Sequence, residues 1–146
     1  MLNLRIAQLS DAKNIFELRN NPEIRKMSFD SDRILYESHL SWFRASLENP
    51  QRLICALELE HVLVGIVRYD ELKPSTVEVS IFIDPKFWGQ GLGNEALVKS
   101  ETLMREKFIS TKEIRAQILA DNHGSIRLFE KAGYKLKSHT FEKEVV

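Results

Sequence analysis

Three glycines alternate in the segment IDPKFWGQGLGNEAL, at Gly89, Gly91 and Gly93, between a strand-like run and a helix-like run. A helix start presents unpaired N–H groups and the positive end of the helix dipole. Glycines let such amides approach an anion closely, because no Cβ stands in the way. The segment therefore predicts an anion-binding loop with phosphate as the first candidate ligand. A glycine-rich turn without a ligand is the alternative.

Two common phosphate-binding fingerprints do not fit this loop. A P-loop ends in Gly-Lys-Ser/Thr, whereas Gly93 is followed by Asn94 and Glu95. The dinucleotide fingerprint G-x-G-x-x-G needs glycine where Asn94 stands, and it normally follows the first strand of its unit rather than about the fourth. The loop therefore calls for another phosphate-bearing molecule.

The segment KFWGQGLGNEAL resembles the acetyl-CoA signature of the GNAT N-acetyltransferase superfamily, Gln/Arg-x-x-Gly-x-Gly/Ala. Gly91 and Gly93 fill its two small positions, while Trp88 stands where the pattern has Gln or Arg. About 30 residues on, DNHGSIRLFEKAGYK resembles a second motif of the superfamily. Its matching positions are Asn122, Ser125, Leu128, Phe129, Lys131, Gly133 and Tyr134. The likeness covers nearly the whole chain and is strongest to the branch of ribosomal-protein N-acetyltransferases and pseudaminic-acid-pathway amino-sugar N-acetyltransferases.

This resemblance implies a fold and a cofactor site. The implied fold is α/β, with a central mixed, mostly antiparallel sheet, helices on both faces, and strands four and five splayed around the pantetheine arm of acetyl-CoA. The implied cofactor-binding residues are Ile81, Phe82, Ile83, Gly89, Gln90, Gly91, Leu92, Gly93, Asn94, Asn122, Ser125 and Lys131. Asn122 as a helix cap only, and Lys131 as a solvated surface residue, are the alternatives.

Acetyl transfer to an amine requires a neutral amine, a polarised thioester and a proton for the leaving thiolate. By the same resemblance, Glu78 stands where relatives carry a catalytic base; a solvent-facing strand glutamate is the alternative. Phe129 replaces the tyrosine that serves many relatives as general acid, and a phenyl ring cannot donate a proton. Tyr134 is a weak substitute, and neither Cys55 nor His123 has the context of a catalyst.

The acceptor pocket of such enzymes comes from the first two helices and the loop between them. Candidate acceptor-binding residues here are Arg19, Arg25, His39, Trp42 and Phe43, with Lys26 as a further cation. The arginines suit a sugar-nucleotide diphosphate, and the aromatic rings suit a base or sugar face. Burial in the helix core is the alternative for Trp42, Phe43 and His39.

Three functions remain open from the sequence. The first is an N-acetyltransferase acting by direct attack of a primary amine, with a nucleotide-linked amino sugar as the expected acceptor. The second is a ribosomal-type protein N-terminal acetyltransferase. The third is an acetyl-CoA-binding sensor without catalysis, which the loss of tyrosine at Phe129 keeps open.

Elements that position these residues follow from apolar periodicity. Strands are predicted in LNLRIAQL, RLICALELE, HVLVGIVRYDEL, TVEVSIFID, EIRAQILA and from Tyr134 to Val146. The second and third of them meet around Glu60 and His61, which predicts a hairpin. Helices are predicted after Ser10 or Asp11, after Ser31 or Asp32 as far as Asn49, after the glycine loop, and from Asp121 or Asn122 to Gly133, with NNPEIRKMSFDSD as a loop. The order β-α-α-β-β-β-α-β-α-β predicts a mixed sheet rather than a strictly alternating α/β fold.

Composition bounds the other properties. A single domain over residues 1–146 is expected, and 21 basic against 21 acidic residues give no global charge that would favour nucleic acid. One cysteine, Cys55, excludes an intrachain disulfide and a multi-cysteine zinc site, so no metal is expected. No apolar run is long enough to span a bilayer and no signal-peptide pattern is present, which predicts a cytoplasmic protein. A homodimer is possible from the resemblance.

Overall fold

A five-stranded sheet forms the centre of the protein, and its strand order follows the chain, β1-β2-β3-β4-β5. The computed structural model describes residues 1–145. The strands are β1 (Asn3–Ile6), β2 (Arg52–Leu59), β3 (Val62–Lys73), β4 (Thr76–Ile83) and β5 (Glu113–Arg115). The helices are α1 (Ala12–Arg19), α2 (Pro22–Lys26), α3 (Tyr36–Glu48), α4 (Leu92–Lys107) and α5 (His123–Lys131), with short 3-10 turns at Leu9–Asp11 and Pro85–Phe87. β1 to β4 pair antiparallel and β4 pairs with β5 in parallel, which confirms the predicted mixed sheet.

Side chains alternate across β4, so the two faces of the sheet have different partners. Three residues of β4 belong to the larger core cluster with side chains of α4 and α5: Val77, Val79 and Ile83. On the opposite face, Phe82 packs against the smaller cluster that includes Phe43 of α3. The predicted helices on both faces are therefore confirmed, and the alternation places Glu78 and Ser80 on the face covered by α1 and α3.

The hairpin predicted between β2 and β3 is confirmed. Leu59 pairs with Val62, leaving a two-residue turn of Glu60 and His61. Both turn residues have positive φ, 48° and 67°, as two-residue hairpin turns of the primed type require. No helix within residues 1–145 has the length and hydropathy that crossing a bilayer requires.

The segment after α1 is not the predicted loop, because the short helix α2 forms within it. The side chain of Asn21 accepts a hydrogen bond from the amide of Glu23 at 2.9 Å, which satisfies one of the free N–H groups of the first turn. Pro22 occupies the first helical position, where its fixed φ suits a helix and its missing N–H costs nothing.

The start of α3 was also predicted wrongly. The sequence suggested Ser31 or Asp32 as the cap, whereas α3 begins at Tyr36. The carboxamide of Asn20 makes two hydrogen bonds of 2.8 Å with the backbone N–H and C=O of Ile34. This strand-like pairing holds the chain extended just before α3, so the helix begins late.

Two strand predictions are wrong, one because the strand is shorter and one because no strand forms. β5 ends at Arg115 instead of continuing to Ala120, and no strand is present from Tyr134 to Val145, while Val146 lies outside the described residues. A strand requires a hydrogen-bonded neighbour. Residues 116–119 have no pairing with β4, and the last segment finds no partner strand within the described part of the chain.

Candidate active site

A cleft opens in the sheet because β4 and β5 pair over only three residues, as far as Glu78 and Arg115. β4 continues to Ile83 and remains paired with β3 on its other side. The backbone edge beyond Glu78 therefore has no strand partner. It lines a cavity of about 810 Å³, with residues 116–118 on the opposite wall. The predicted splay is confirmed, and the cavity lining includes Ile81, Phe82 and Ile83.

The glycine loop leads from this cleft into the start of α4. Gly89 and Gly91 have φ of 80° and 76°, a left-handed conformation that glycine adopts without strain. Gly91 directly precedes the 16-residue helix α4, whose first amides have no partner within the helix. The cavity lining includes Gly89, Gly91, Leu92, Gly93 and Asn94, but Gln90 is not among the lining residues. The loop therefore has the form of an anion site.

Gly93 and Trp88 have roles that the sequence did not indicate. A Cβ on Gly93 would lie 2.9 Å from Cδ2 of Leu128, so a glycine here allows α4 and α5 to pack closely. The indole Nε1 of Trp88 donates a hydrogen bond of 2.8 Å to the carbonyl of Ile83. Trp88 thus ties the loop to the end of β4, at the position where the family pattern has Gln or Arg.

The start of α5 lies at the same end of the cavity. Asn122, Ser125 and Lys131 are all lining residues, together with Arg127, which the sequence analysis did not name. Asn122 is buried, and its side-chain oxygen caps α5 by accepting from the amide of Ser125 at 3.2 Å. Asn122 therefore caps α5, and its side-chain NH₂ makes no hydrogen bond within residues 1–145.

The opposite end of the cavity is formed by α1, α2, α3 and β3. Arg19, Arg25 and Trp42 line it as the acceptor prediction required, whereas Lys26 is exposed and outside the lining. Arg68 and Ser80 line it too, and sequence reasoning missed both. They face each other across β3 and β4 in the observed register. Alternation along each strand was the only signal, and it could not place them without that register.

His39 and Phe43 do not contact the cavity, which corrects their prediction as acceptor-binding residues. Phe43 is fully buried in the smaller core cluster, and His39 is 1% exposed. The two rings stack at 5.8 Å, and His39 Nε2 donates a hydrogen bond of 3.0 Å to the carbonyl of Ala12. Burial lowers the pKa of His39, with the charge of Arg19 adding to the effect. Both residues are therefore part of the core.

Glu78 lies on the acceptor face of the sheet but outside the cavity lining. It is half-buried and pairs in register with Asp70 on β3 and Arg115 on β5. Ser80, the next residue on the same face, does line the cavity. Glu78 therefore lies beside the cavity on the same face of β4 as Ser80, without lining it.

None of the three candidate proton donors, Tyr134, Cys55 and His123, lines the cavity. Phe129 lines the cavity and packs edge-on against Tyr134 at 4.9 Å. Burial raises the pKa of Tyr134, whose side chain is not part of the cavity lining. Burial likewise raises the pKa of Cys55 to about 12, and His123 is exposed outside the lining.

Positive charge dominates the cavity wall. The cations are Arg19, Arg25, Arg68, Arg127 and Lys131, against the carboxylates of Asp30 and Asp32. Burial lowers the pKa of Arg19, and the neighbouring charge of Arg68 lowers it further. The cavity is therefore suited to anionic ligands at both ends.

Comparisons with known proteins agree with this geometry. A family model described as an acetyltransferase (GNAT) domain matches residues 1–135. The uncharacterized protein MJ1062 of Methanocaldococcus jannaschii is 32% identical over 139 residues, which is 92% of this chain. The chain spans only 28% of that relative's length.

Solved structures share the fold. Spermidine N-acetyltransferase from Vibrio cholerae, in complex with CoA and spermine, matches with a TM-score of 0.86 at 20% identity, over 99% of this chain and 87% of that chain. The structure of yncA from Salmonella typhimurium with its cofactor acetyl-CoA matches with a TM-score of 0.80 at 22% identity, over 94% of this chain and 82% of that chain. The fold predicted from the two sequence motifs is therefore confirmed.

Proposed function

We propose that this chain, which belongs to the GNAT acetyltransferase family, transfers an acetyl group from acetyl-CoA to the primary amine of a small molecule. Family membership confirms the predicted enzyme class and the predicted cofactor. One observation carries the proposal. A single cavity joins the free amides at the start of α4 to the side chains of Arg19, Arg25 and Trp42. A donor and an acceptor can therefore meet inside it.

The cofactor end of the cavity fits acetyl-CoA. The amides of Gly91 to Asn94 would hold the pyrophosphate, because they are unpaired and lie at the positive end of the α4 dipole. The unpaired edge of β4 from Val79 to Ile83 offers backbone N–H and C=O groups to the amide-bearing pantetheine arm. Asn122 has side-chain N–H groups to donate to it. When bound, acetyl-CoA supplies the acetyl group as a thioester that the amine attacks directly.

Glu78 is proposed as the base that takes a proton from the acceptor amine through a water molecule. Glu78 lies two residues before Ser80 on the same face of β4, and Ser80 lines the cavity. Phe129 cannot protonate the leaving thiolate, so solvent does so. Much of the rate enhancement then comes from holding the two reactants together.

A nucleotide-linked amino sugar is the proposed acceptor. Arg19 and Arg25 line the acceptor end and suit a diphosphate. Trp42, also in the lining, offers an aromatic surface for a sugar or a base. A protein N-terminus is the second candidate, which the exposed carboxylates of Asp30 and Asp32 in the cavity lining favour. The third candidate, a non-catalytic sensor, is supported only by Phe129.

A thiol-release assay with acetyl-CoA tests the proposal against nucleotide-linked amino sugars, polyamines and N-terminal peptides. We expect turnover with the amino sugars. Turnover with peptides alone would favour the second candidate. A rise in melting temperature with acetyl-CoA, without turnover of any amine, would favour the sensor. A melting temperature that acetyl-CoA leaves unchanged would contradict cofactor binding itself.

Two further predictions from the sequence concern assembly and location. A homodimer remains a prediction, which light scattering on the purified protein would test. The cytoplasmic location also remains a prediction, and fractionation of the source cells would test it.

A further inference from the structure

Three guanidinium groups surround the indole of Trp42 at the acceptor end of the cavity. The Cζ atoms of Arg19, Arg52 and Arg68 lie 4.9, 5.5 and 5.7 Å from the ring centroid. Arg19 ends α1, Arg52 begins β2, and Arg68 lies in β3. Guanidinium groups are attracted to the face of an indole ring. Trp42 therefore holds three positive charges in one small volume.

This positive charge is only partly neutralised. Asp70 is shared, because it forms ion pairs with both Arg52 and Arg68. The Nε of Arg68 lies 3.1 Å from a carboxylate oxygen of Asp70, in an ion pair whose geometry makes no hydrogen bond. Nη2 of Arg68 reaches the hydroxyl of Ser80 only at 3.5 Å. Within residues 1–145, Arg19 forms no ion pair.

Arg25 repeats this pattern on the neighbouring wall of the cavity. Its Nε is buried, with no acceptor within the described residues. A buried N–H group without an acceptor is costly, and such groups are uncommon in folded proteins. The carboxylates of Asp30 and Asp32 are exposed and satisfy neither atom. Arg19, Arg25 and Arg68 therefore outnumber the two exposed carboxylates on this part of the wall, and the excess positive charge suits an anion.

Arg68 also lies close to the expected place of acetyl transfer. It pairs in register with Ser80 of β4. The anion-binding loop follows the far end of β4, after Ile83, so a cofactor arm that runs along β4 from this loop brings its reactive end toward Val79 and Ser80. An anion held by Arg68 would therefore belong to the acceptor rather than to the cofactor.

We infer that Arg68, together with Arg19, binds a phosphate or carboxylate group of the acceptor. The enzyme therefore selects amines that carry a negative charge and discriminates against polycations. The inference rests on the proposed function and assigns Arg68, which that proposal leaves out, to the anionic group of the acceptor. It separates this chain from the Vibrio cholerae neighbour, whose structure contains spermine.

Binding of inorganic pyrophosphate to the protein saturated with CoA tests the inference without any need for turnover. CoA occupies the glycine loop, so pyrophosphate reports on the acceptor end. We expect pyrophosphate to raise the melting temperature of the wild type, and Arg68→Met to weaken this binding roughly tenfold to a hundredfold, the usual range for a lost charge-assisted hydrogen bond. Arg44→Met is the matched control, since Arg44 is exposed on α3 outside the cavity lining.

The melting temperature with CoA alone shows whether Arg68→Met is folded, and Arg19→Met serves as a second variant with the same expected loss. Equal pyrophosphate affinity in the wild type and a folded variant, or no pyrophosphate binding by the wild type, would overturn the inference. Initial rates with glucosamine 6-phosphate, glucosamine and spermidine add a kinetic test. If spermidine were acetylated as efficiently as the phosphorylated sugar, the inference would be overturned, whereas the proposed acetyl transfer would be supported. Absence of turnover with every amine would count against the proposed function, while pyrophosphate binding would still decide the inference.

Discussion

The placement of Glu78 decides what kind of base it can be. Its carboxylate lies on the acceptor face of β4, yet outside the cavity lining, with Asp70 and Arg115 as its register partners. We therefore propose that Glu78 acts on the amine through a bridging water, because its side chain does not line the cavity. Ser80 lies between Glu78 and the rest of the cleft and offers a hydroxyl to orient such a water.

Replacement of this base should slow the reaction without weakening cofactor binding. We expect Glu78→Gln to lower kcat/KM roughly a hundredfold or more near neutral pH, within the usual range for general base catalysis. The loss should shrink at high pH, where the amine loses its proton unaided. Initial rates across pH measure this, with acetyl-CoA affinity as the check on folding. Glu113→Gln, an exposed carboxylate of β5, is the control, and a full-rate Glu78→Gln variant would remove Glu78 from the mechanism.

At the scale of elements, the three glycines of the loop have different structural roles. Gly89 and Gly91 have left-handed φ with open space around them, while Gly93 has a neighbour 2.9 Å from its would-be Cβ. The first two glycines therefore shape the backbone, and the third permits close packing of α4 on α5. The sequence suggested one shared reason for all three, and the structure separates them.

Alanine at Gly91 should be destabilising, because a left-handed conformation costs a non-glycine residue about 1–2 kcal/mol. We expect Gly91→Ala to lower the free energy of unfolding by about that amount and to weaken acetyl-CoA binding. Gly124→Ala is the matched comparison: Gly124 lies in α5 with ordinary φ and no atom near its would-be Cβ. Helix propensity predicts a gain of up to about 1 kcal/mol there. Denaturant unfolding of both variants measures the difference, and equal effects would contradict the backbone argument.

Local patterns predicted the elements well where local chemistry decides them. The meeting of two strand-like runs around Glu60 and His61 located the first hairpin, and Asn122 was correctly placed at the start of α5. The start of α3 was predicted wrongly because it depends on the pairing of Asn20 with Ile34, fourteen residues away. The length of β5 was predicted wrongly because it depends on the point at which β4 and β5 stop pairing.

At the scale of the whole molecule, the two ends of the cavity differ in how far sequence can predict them. The end proposed for the cofactor comes mainly from two continuous motifs, around Gly91 and Asn122, and the structure brings both into one cavity lining. The acceptor end is assembled from α1, α2, α3 and β3, with no continuous motif. His39 was wrongly assigned to it and Arg68 was missed, because only the packing of α3 and the pairing of β3 with β4 decide which side chains face the cavity.

Burial of His39 should make the stability of the whole molecule depend on pH. The folded state keeps this ring neutral, because its environment lowers the pKa and Nδ1 has no hydrogen-bond partner within residues 1–145. In the unfolded chain a histidine takes up a proton below about pH 6.5. The unfolded state therefore binds more protons, and stability falls as pH drops from about 6.5 toward the lower folded-state pKa. The slope from this one group is at most about 1.4 kcal/mol per pH unit.

Denaturant unfolding at pH 7.5 and pH 5.0 tests this slope. Glutamine at position 39 keeps an N–H donor for the carbonyl of Ala12 but cannot titrate, so His39→Gln should reduce the loss of stability between the two pH values. Asp11→Asn is the control. Hydrogen bonds from Arg5 lower the pKa of Asp11, so its contribution is complete above the unfolded value of about 3.9 and is lost only as pH falls below it. This variant should be less stable at both pH values and keep the wild-type difference between them. If His39→Gln also kept that difference, the buried ring would not be the source of the pH dependence.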